Sequence, residues 1–389
     1  MPLLSVYRDH GVVPFGTIEG NFNKPALELS NYLVVRRGDL VLNKMKTWQG
    51  SLAISELDGI VSPAYVVAEV DEGIDRRFLH HVLRSERCIA EYAKISYGVR
   101  VDQWDMRFED FRNITIALPP AERQRAIAAF LDRKTAEIDT LIARKERLLE
   151  LLEEKRTALI TQAVTKGVTP GTSLRETGED WLGTVPAHWR LLRLKFACLG
   201  PLSYGASEAA ESTDPTLPRF VRITDLGDDG TLREETFKSL PEDVAAPYLL
   251  REGDLLFARS GATVGKSFRY DPSWGRAAYA GYLVRARLDD RLALPRFLWL
   301  FAQSASYWGW VGRNQIQSTI QNVSAERYSG LLIPLPSVDE QRSIVRFVEE
   351  QLAQLATLAG RVREAIALLR EYRIALITAA VTGEIDLHS

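Results

Sequence analysis

The side chains in this sequence best suited to chemistry are cations, amides and aromatics gathered in four short stretches. Lys44, Lys46, Trp48 and Gln49 lie in NKMKTWQG, and Tyr97, Arg100, Gln103, Trp104 and Arg107 in SYGVRVDQWDMR. Further on, ARSGATVGK carries Arg259, Ser260, Thr263 and Lys266. GRNQIQSTIQNVS then carries Arg313, Asn314, Gln315, Gln317, Ser318, Gln321 and Asn322. Such groups supply donors for phosphate oxygens and flat amides for base edges. Taken singly, each is equally an ordinary loop polar group. Gly38-Asp39 and Gly253-Asp254 fit turns better than contacts.

Catalytic patterns are weaker. SGATVGKS, from Ser260 to Ser267, is one residue from GxxxxGK[ST], with Ser260 where the first Gly belongs. The SFRYDP after it reads as strand then turn, whereas a phosphate loop must open a helix. The sequence shows no glycine-rich methyl-donor loop, no Asn-Pro-Pro-aromatic motif and no nuclease-like acidic pair on strands. Glu153-Glu154-Lys155 reads as the solvated face of a helix. His80 and His81 are adjacent, so they cannot share one helical face as a metal pair would. Cys88 and Cys198 have no partner at metal spacing and form no disulfide framework. No catalytic residue, metal or cofactor of its own is expected.

The elements that position these stretches come in a duplicated order. Residues 1 to 118 read as a globular unit. Leu33 to Asn43 form turn and strand, Ser51 to Val70 short strands, and Asp75 to Ser96 one helix; a short helix and a strand follow. REGDLLFARS repeats RRGDLVLNKM, YAGYLVRARL repeats SPAYVVAEV, and SAERYSGLLIPLP repeats RFEDFRNITIALP. Residues 1–172 correspond to 218–389 with two residues of slippage, so Met1 falls on Pro218. A period this long with two copies means a duplicated domain and approximate two-fold symmetry. The segment Leu174 to Leu217 has no counterpart in the first unit, whose N-terminal side reads as short or truncated.

Each copy ends in a long helix, from Ala121 toward Gly167 and again after Pro336. About 43 residues at 1.5 Å each reach roughly 65 Å. The first apolar stripe runs Ile127, Leu131, Lys134, Ile138, Leu141, Lys145, Leu148, Leu152, Lys155, Leu159. The second runs Ile344, Val348, Gln351, Leu355, Leu358, Val362, Ala365, Leu369, Tyr372, Leu376. Alternating steps of four and three make this a coiled-coil seam, with Leu148 and Leu369 expected inside it. Two such seams in one chain are most simply buried against each other. The fold class is therefore α+β, with two pseudo-two-fold-related globular domains separated by an antiparallel pair of long helices.

Composition sets bounds. With 389 residues the chain suits two or three domains, and 46% hydrophobic with 26% charged residues is ordinary for a globular protein. A net charge of −2 leaves any basic surface local or supplied by partners. MPLLSVYRDHG lacks the basic start and apolar run of a signal peptide, and the apolar runs are too short to span a bilayer. A cytoplasmic setting without membrane contact is expected.

Globular unit, long helix, globular unit, long helix, with LP-x-x-[DE]-x-Q-R before each helix and ALIT-x-AV-T near each helix end, resembles the specificity subunit of Type I restriction–modification systems. GTVPAHWRLLRLKF, from Gly183 to Phe196, adds to the resemblance. It implies target-recognition domains at 1–118 and 168–335, with spacer helices at 119–167 and 336–389. It implies a non-catalytic subunit that binds a split, asymmetric double-stranded DNA sequence through the four stretches above. Two methyltransferase subunits, bringing S-adenosylmethionine, would dock on the helices, and endonuclease–translocase subunits would join for cleavage. The competing readings are a coiled-coil scaffold with lost or partial DNA binding and, more weakly, an ATP-dependent enzyme using Ser260 to Ser267.

Overall fold

The computed structural model describes residues 1–8, 10–18, 29–98, 104–209, 211–227, 231–316 and 322–385, with 315 and 316 as backbone only. The chain divides into two compact units. The first holds residues 1–147 and 361–389, the second residues 148–360.

The two long helices form as expected, over Ala121–Lys166 and Val338–Thr382. Each stops at a glycine in the left-handed region, Gly167 (φ 76°) and Gly383 (φ 80°), where other residues would be strained. Each unit takes part of both helices, and the pairing is antiparallel. In the first unit Arg373 donates to Asp139 at 2.9 and 3.2 Å and Arg370 to Glu146 at 2.9 Å. Residue numbers rise along one helix as they fall along the other. Ile127, Leu131 and Ile138 share a core with Leu376, Ile377 and Ala380. In the second unit Ile160, Ala163 and Val164 share one with Ile344 and Val348. Tertiary burial of this kind, more than helix propensity, is what holds helices of this length.

The seam differs from the heptad reading. After Ile138 the covered face of the first helix passes through Ile142, Lys145, Leu149, Leu152, Arg156 and Ile160. Leu141 and Leu148 are 45% and 38% exposed. In the second helix Ala359, Val362 and Ile366 are buried, while Leu358 and Tyr372 are 44% and 57% exposed and Leu369 is half-buried. From Ile127 to Ile160 the stripe takes nine steps, about 3.7 residues each, near the natural helical period and longer than the 3.5 of a left-handed coiled coil. Counting in heptads therefore drifts onto the solvent side.

The repeated glutamine of the helix-opening motif has one job in both units. Gln124 Oε1 accepts from the Asp75 N–H at 2.9 Å, and its amide donates to Pro119 O at 2.8 Å. Gln341 Oε1 accepts from the Leu294 N–H at 2.8 Å, and its amide donates to Pro336 O and Leu292 O. Each glutamine is at most 4% exposed. It ties the start of its long helix to the first turn of a domain helix, satisfying backbone groups that would otherwise be buried unpaired.

The helix expected over Asp75 to Ser96 is two helices, Arg76–Leu83 and Glu86–Ile95. Ser85 interrupts the apolar period and caps the second, its side chain accepting from Cys88 N–H. The second unit breaks at the same place: Pro295–Phe301 and Ala305–Ile316 are separated by Ser304, whose hydroxyl accepts from Tyr307 N–H.

These helices pack on small antiparallel sheets. In the first unit Leu40–Asn43 lies between Leu52–Ile54 and Tyr65–Ala68. In the second, Leu255–Ala258 lies between Ser267–Arg269 and Leu283–Ala286, with Ser203–Tyr204 beyond the latter. The segment without a counterpart thus adds a fourth strand. It also adds Arg190–Arg193, antiparallel to Leu332–Leu335. In the first unit the strand expected within Ile114 to Leu118 pairs with no strand among the described residues.

Candidate nucleic-acid interface

In the first unit two of the singled-out stretches meet. The Met106 N–H donates to Lys44 O at 3.1 Å, which sets Trp104 and Arg107 beside the Lys44–Gln49 turn. Trp48 and Trp104 pack with ring centroids 5.1 Å apart, tilted by 49°. Arg107 stands over the Tyr97 ring at 5.3 Å, and Tyr97 is 47% exposed. Trp48 Nε1 donates to Met45 O, so its indole edge is held and its ring remains half-covered. Lys46 and Gln49 are exposed, while Lys44 spends its ammonium on Pro63 O at 2.9 Å. Gly50 closes the turn at φ 89°, where an added Cβ would stand 2.9 Å from Ile89. Exposed aromatic faces beside cations suit stacking on bases or sugars and ion pairing with phosphates. Arg100 and Gln103 lie outside the described residues.

In the second unit the corresponding loop is clamped. Gly265 N–H donates to Ala258 O at 3.0 Å, and Ala258 N–H to Lys266 O at 2.8 Å, closing the Arg259–Lys266 loop on itself. Two buried phenols hold its ends. Tyr328 donates to Ala258 O at 2.8 Å, and Tyr307 donates to Gly265 O at 2.7 Å. Burial raises the pKa of both, so both remain donors across the working pH range. Gly265 has φ 88° and an added Cβ would sit 2.7 Å from Val311, which fits glycine alone.

On this frame Ser260 bridges Asn322, and the Val323 N–H donates to Arg259 O at 2.8 Å. The Arg259 guanidinium lies 4.5 Å from the Tyr204 ring centroid. Arg259 Nε and Asn322 Oδ1 are shielded yet have no hydrogen-bond partner among the described residues. Such groups are costly unless something bonds them. Thr263 ends the exposed turn Gly261–Thr263, and its carbonyl accepts from Lys266 N–H. A strand, Ser267–Arg269, follows that turn, so SGATVGKS opens no helix and offers no phosphate-loop geometry.

Arg313, Asn314 and Gln315 lie at the end of the helix Ala305–Ile316, not in a loop as the sequence suggests. Arg313 pairs with Asp180 at 3.3 Å, both exposed. The Asn314 amide donates to Trp310 O at 2.9 Å. The Gln315 side chain, Gln317, Ser318 and Gln321 lie outside the described residues. Tyr204 was not singled out from sequence, because its segment has no duplicate to compare with. The exposed Tyr282 (66%) and Trp308 (42%) also lie outside the four stretches singled out from sequence.

Residues 1–151 match a family model described as "Type I restriction modification DNA specificity domain". The resemblance to the Type I specificity subunits holds. The Type I restriction enzyme EcoKI specificity subunit of Escherichia coli K12 is 26% identical over 327 residues, 79% of this chain and 65% of that protein. This chain thus spans about two thirds of the length of such relatives. Among solved structures, a chain from work on complex assembly and conformational transition of the type I R-M system superposes with a TM-score of 0.73. It is 21% identical, covering 92% of this chain and 85% of its own. The HsdS subunit of Thermoanaerobacter tengcongensis gives 0.53 at 22% identity, covering 90% and 82%. These likenesses bear out the α+β fold with its paired long helices. No helix among the described residues is long and apolar enough to cross a membrane.

Proposed function

We propose that this chain is the DNA-recognition subunit of a Type I restriction–modification complex, binding a bipartite, asymmetric duplex target. Residues 1–118 and 168–335 act as the two recognition domains, and 119–167 and 336–389 as the spacer that sets the distance between half-sites. It places two methyltransferase subunits, which bring S-adenosylmethionine, and recruits endonuclease–translocase subunits, itself carrying no catalytic group. Its setting is the cytoplasm. One observation carries the reading: in each unit the equivalent turn gathers cationic and aromatic groups, yet the chemistry differs. The first presents Trp48, Trp104, Tyr97 and Arg107, the second Arg259, Ser260, Tyr204 and Asn322. Two sites equivalent in place and unlike in surface suit two different half-sites.

The test is methylation by the assembled complex across a duplex library randomised in both half-sites. Ser260→Ala with Asn322→Ala should relax one half-site, losing about 1–3 kcal/mol of discrimination per lost base contact. Trp48→Ala with Arg107→Ala should act on the other half-site. Equal effects of both variants on both half-sites, or none, would remove the assignment.

A further inference from the structure

A second surface of the second unit lies away from the Arg259–Lys266 loop. The long helix from Arg342 to Glu349, the turn before Leu255–Ala258 and the start of Pro295–Phe301 enclose an open cleft of about 760 Å³. Six arginines line it, Arg251, Arg269, Arg287, Arg296, Arg342 and Arg346, against four carboxylates, in a chain whose net charge is −2. Two of those carboxylates are already engaged. Arg287 donates to Asp254 at 2.6 and 2.8 Å, and Arg296 to Glu349 at 2.6 Å. Arg251 and Arg346 are exposed, and their side chains make no ion pair among the described residues. The Arg269 Nε–H is shielded and has no hydrogen-bond partner among the described residues. Leu199, Leu288 and Val345 add apolar wall. The cleft shares Arg269 and Arg296 with a smaller one of about 400 Å³ that holds Trp274 and Trp299, and the Arg296 guanidinium lies 4.4 Å from the Trp299 ring centroid.

The first unit has the same frame without the charge. Arg77 pairs with Asp132 at 3.2 Å as Arg296 does with Glu349. Arg269 faces Leu255 across its sheet, and the residue that faces Leu40 is Ile54. Arg287 follows Ala286, which pairs with Leu255, and Glu69 follows Ala68, which pairs with Leu40. Arg346 stands five residues after Gln341, and Ala129 five after Gln124. Isoleucine, glutamate and alanine thus stand where the second unit has three cations.

We propose that this cleft binds an acidic segment of a partner protein, with apolar residues among its carboxylates, at one site per chain. Arginine forks match carboxylates two donors at a time and are more weakly hydrated than ammonium groups. The apolar walls and the extension past Trp274 and Trp299 suit a chain of several residues more than a lone anion. Position favours protein over duplex. The cleft opens at Asp254, before the strand Leu255–Ala258, and the Arg259–Lys266 loop leaves the other end of that strand, about 13 Å away at 3.3 Å per residue. This surface is distinct from the DNA-reading stretches, and the inference does not depend on them.

The probe is a labelled peptide of alternating Asp and Leu ending in Trp, added to the full chain. One peptide should bind per chain, more weakly as salt rises. It should slow amide hydrogen exchange at 251–254 and 342–349 and leave 36–39 and 125–132 unchanged. Arg251→Glu with Arg346→Glu, both at exposed positions, should melt as the parent does and bind the peptide about tenfold more weakly, the scale of two exposed ion pairs turned to repulsion. Duplex affinity should stay as it was. Unchanged peptide affinity in that variant overturns the proposal, as do two equal sites per chain. An equal loss of duplex affinity would make the cleft a DNA phosphate site and overturn it. Displacement of the peptide by inorganic phosphate at the peptide's own concentration would do the same, leaving only an anion site. Self-association of the chain that the variant abolishes would assign the cleft to a second copy and so also overturn it.

Discussion

The turn that presents the polar groups is fixed differently in the two units. In the second, the phenols of Tyr307 and Tyr328 grip the carbonyls at both ends of the Arg259–Lys266 loop. Their counterparts by position in the first are Cys88 and Phe111, and neither has a phenol to give. There the Lys44–Gln49 turn is steadied by Trp48 against Trp104 and by the Thr47 hydroxyl, which donates to Asn43 O at 2.7 Å. One scaffold thus supports two kinds of site: one held from behind by buried donors, the other by the aromatics it displays. The first arrangement separates support from presentation. The second combines them, so altering a presented residue there also alters its support.

The largest expected effect sits where the units differ most, at the segment without a counterpart. Trp189→Ala empties a site that is 2% exposed and removes the donor to Glu340 Oε1, and should cost about 3–5 kcal/mol. Thermal unfolding followed by hydrogen exchange should show the loss in residues 148–360, with the first unit unmoved. Next comes the clamp. Tyr307→Phe leaves the Gly265 carbonyl without this donor and should cost about 1–3 kcal/mol. The variant should loosen exchange across Arg259–Lys266; unaltered exchange there would show the phenol is not the support.

A third difference responds to pH. His80 and His81 belong to the first unit, and Trp299 and Leu300 stand in their places in the second. Burial, then the nearby Arg84 cation, lowers the His80 pKa from 6.5 to about 3. Burial also lowers that of His81, against the raising pull of Asp132, 2.8 Å away. The folded unit therefore binds fewer protons than the unfolded chain below pH 6.5, and its stability falls as pH drops from there toward 3. Urea unfolding at pH 7 and pH 5 should show the first unit weakening more than the second, and His80→Gln should reduce the difference. The smallest effect concerns the long helix that both units share. Leu148→Ala, at a 38% exposed site, should cost about 0.5 kcal/mol or less, whereas Leu152→Ala, 8% exposed, should cost about 2–5 kcal/mol in the same melting assay.

Sequence carried the architecture well because it was written twice. Ile127 with Ile344 and Gln124 with Gln341 match by order and spacing alone, and the helices are long enough for their period to dominate. What escaped depended on small offsets or on partners distant in the chain. A stripe counted in sevens placed Leu148 inside when Leu149 is the covered neighbour. Ser85 looked like one more helical residue because a cap is visible only once the chain has turned at it. The bridge between Ser260 and Asn322 spans 62 positions, and no local pattern announces it. Tyr204 reaches Arg259 from a segment that has no duplicate, so comparing the copies could not reveal it. The missing strand at Ile114 to Leu118 has the same origin: its residues read as a strand, but a strand needs a neighbour.

The period of the buried stripe has a consequence for how such a helix can change in length. A face that recurs about every 3.7 residues returns to the same side after 11 residues, three full turns, and nearly so after 18. Inserting seven or four swings the stripe by about 33° in opposite senses, and inserting three swings it by about 65°. Between Ile138 and Ile160 an 11-residue insertion would keep Ile127 and Leu131 in phase with Ile160 and Val164, adding about 16 Å at 1.5 Å per residue. Most other lengths would turn one set of apolar residues toward water. The helix can therefore be lengthened cheaply only in a few allowed increments, and those increments are set by helical geometry rather than by the chemistry at either end.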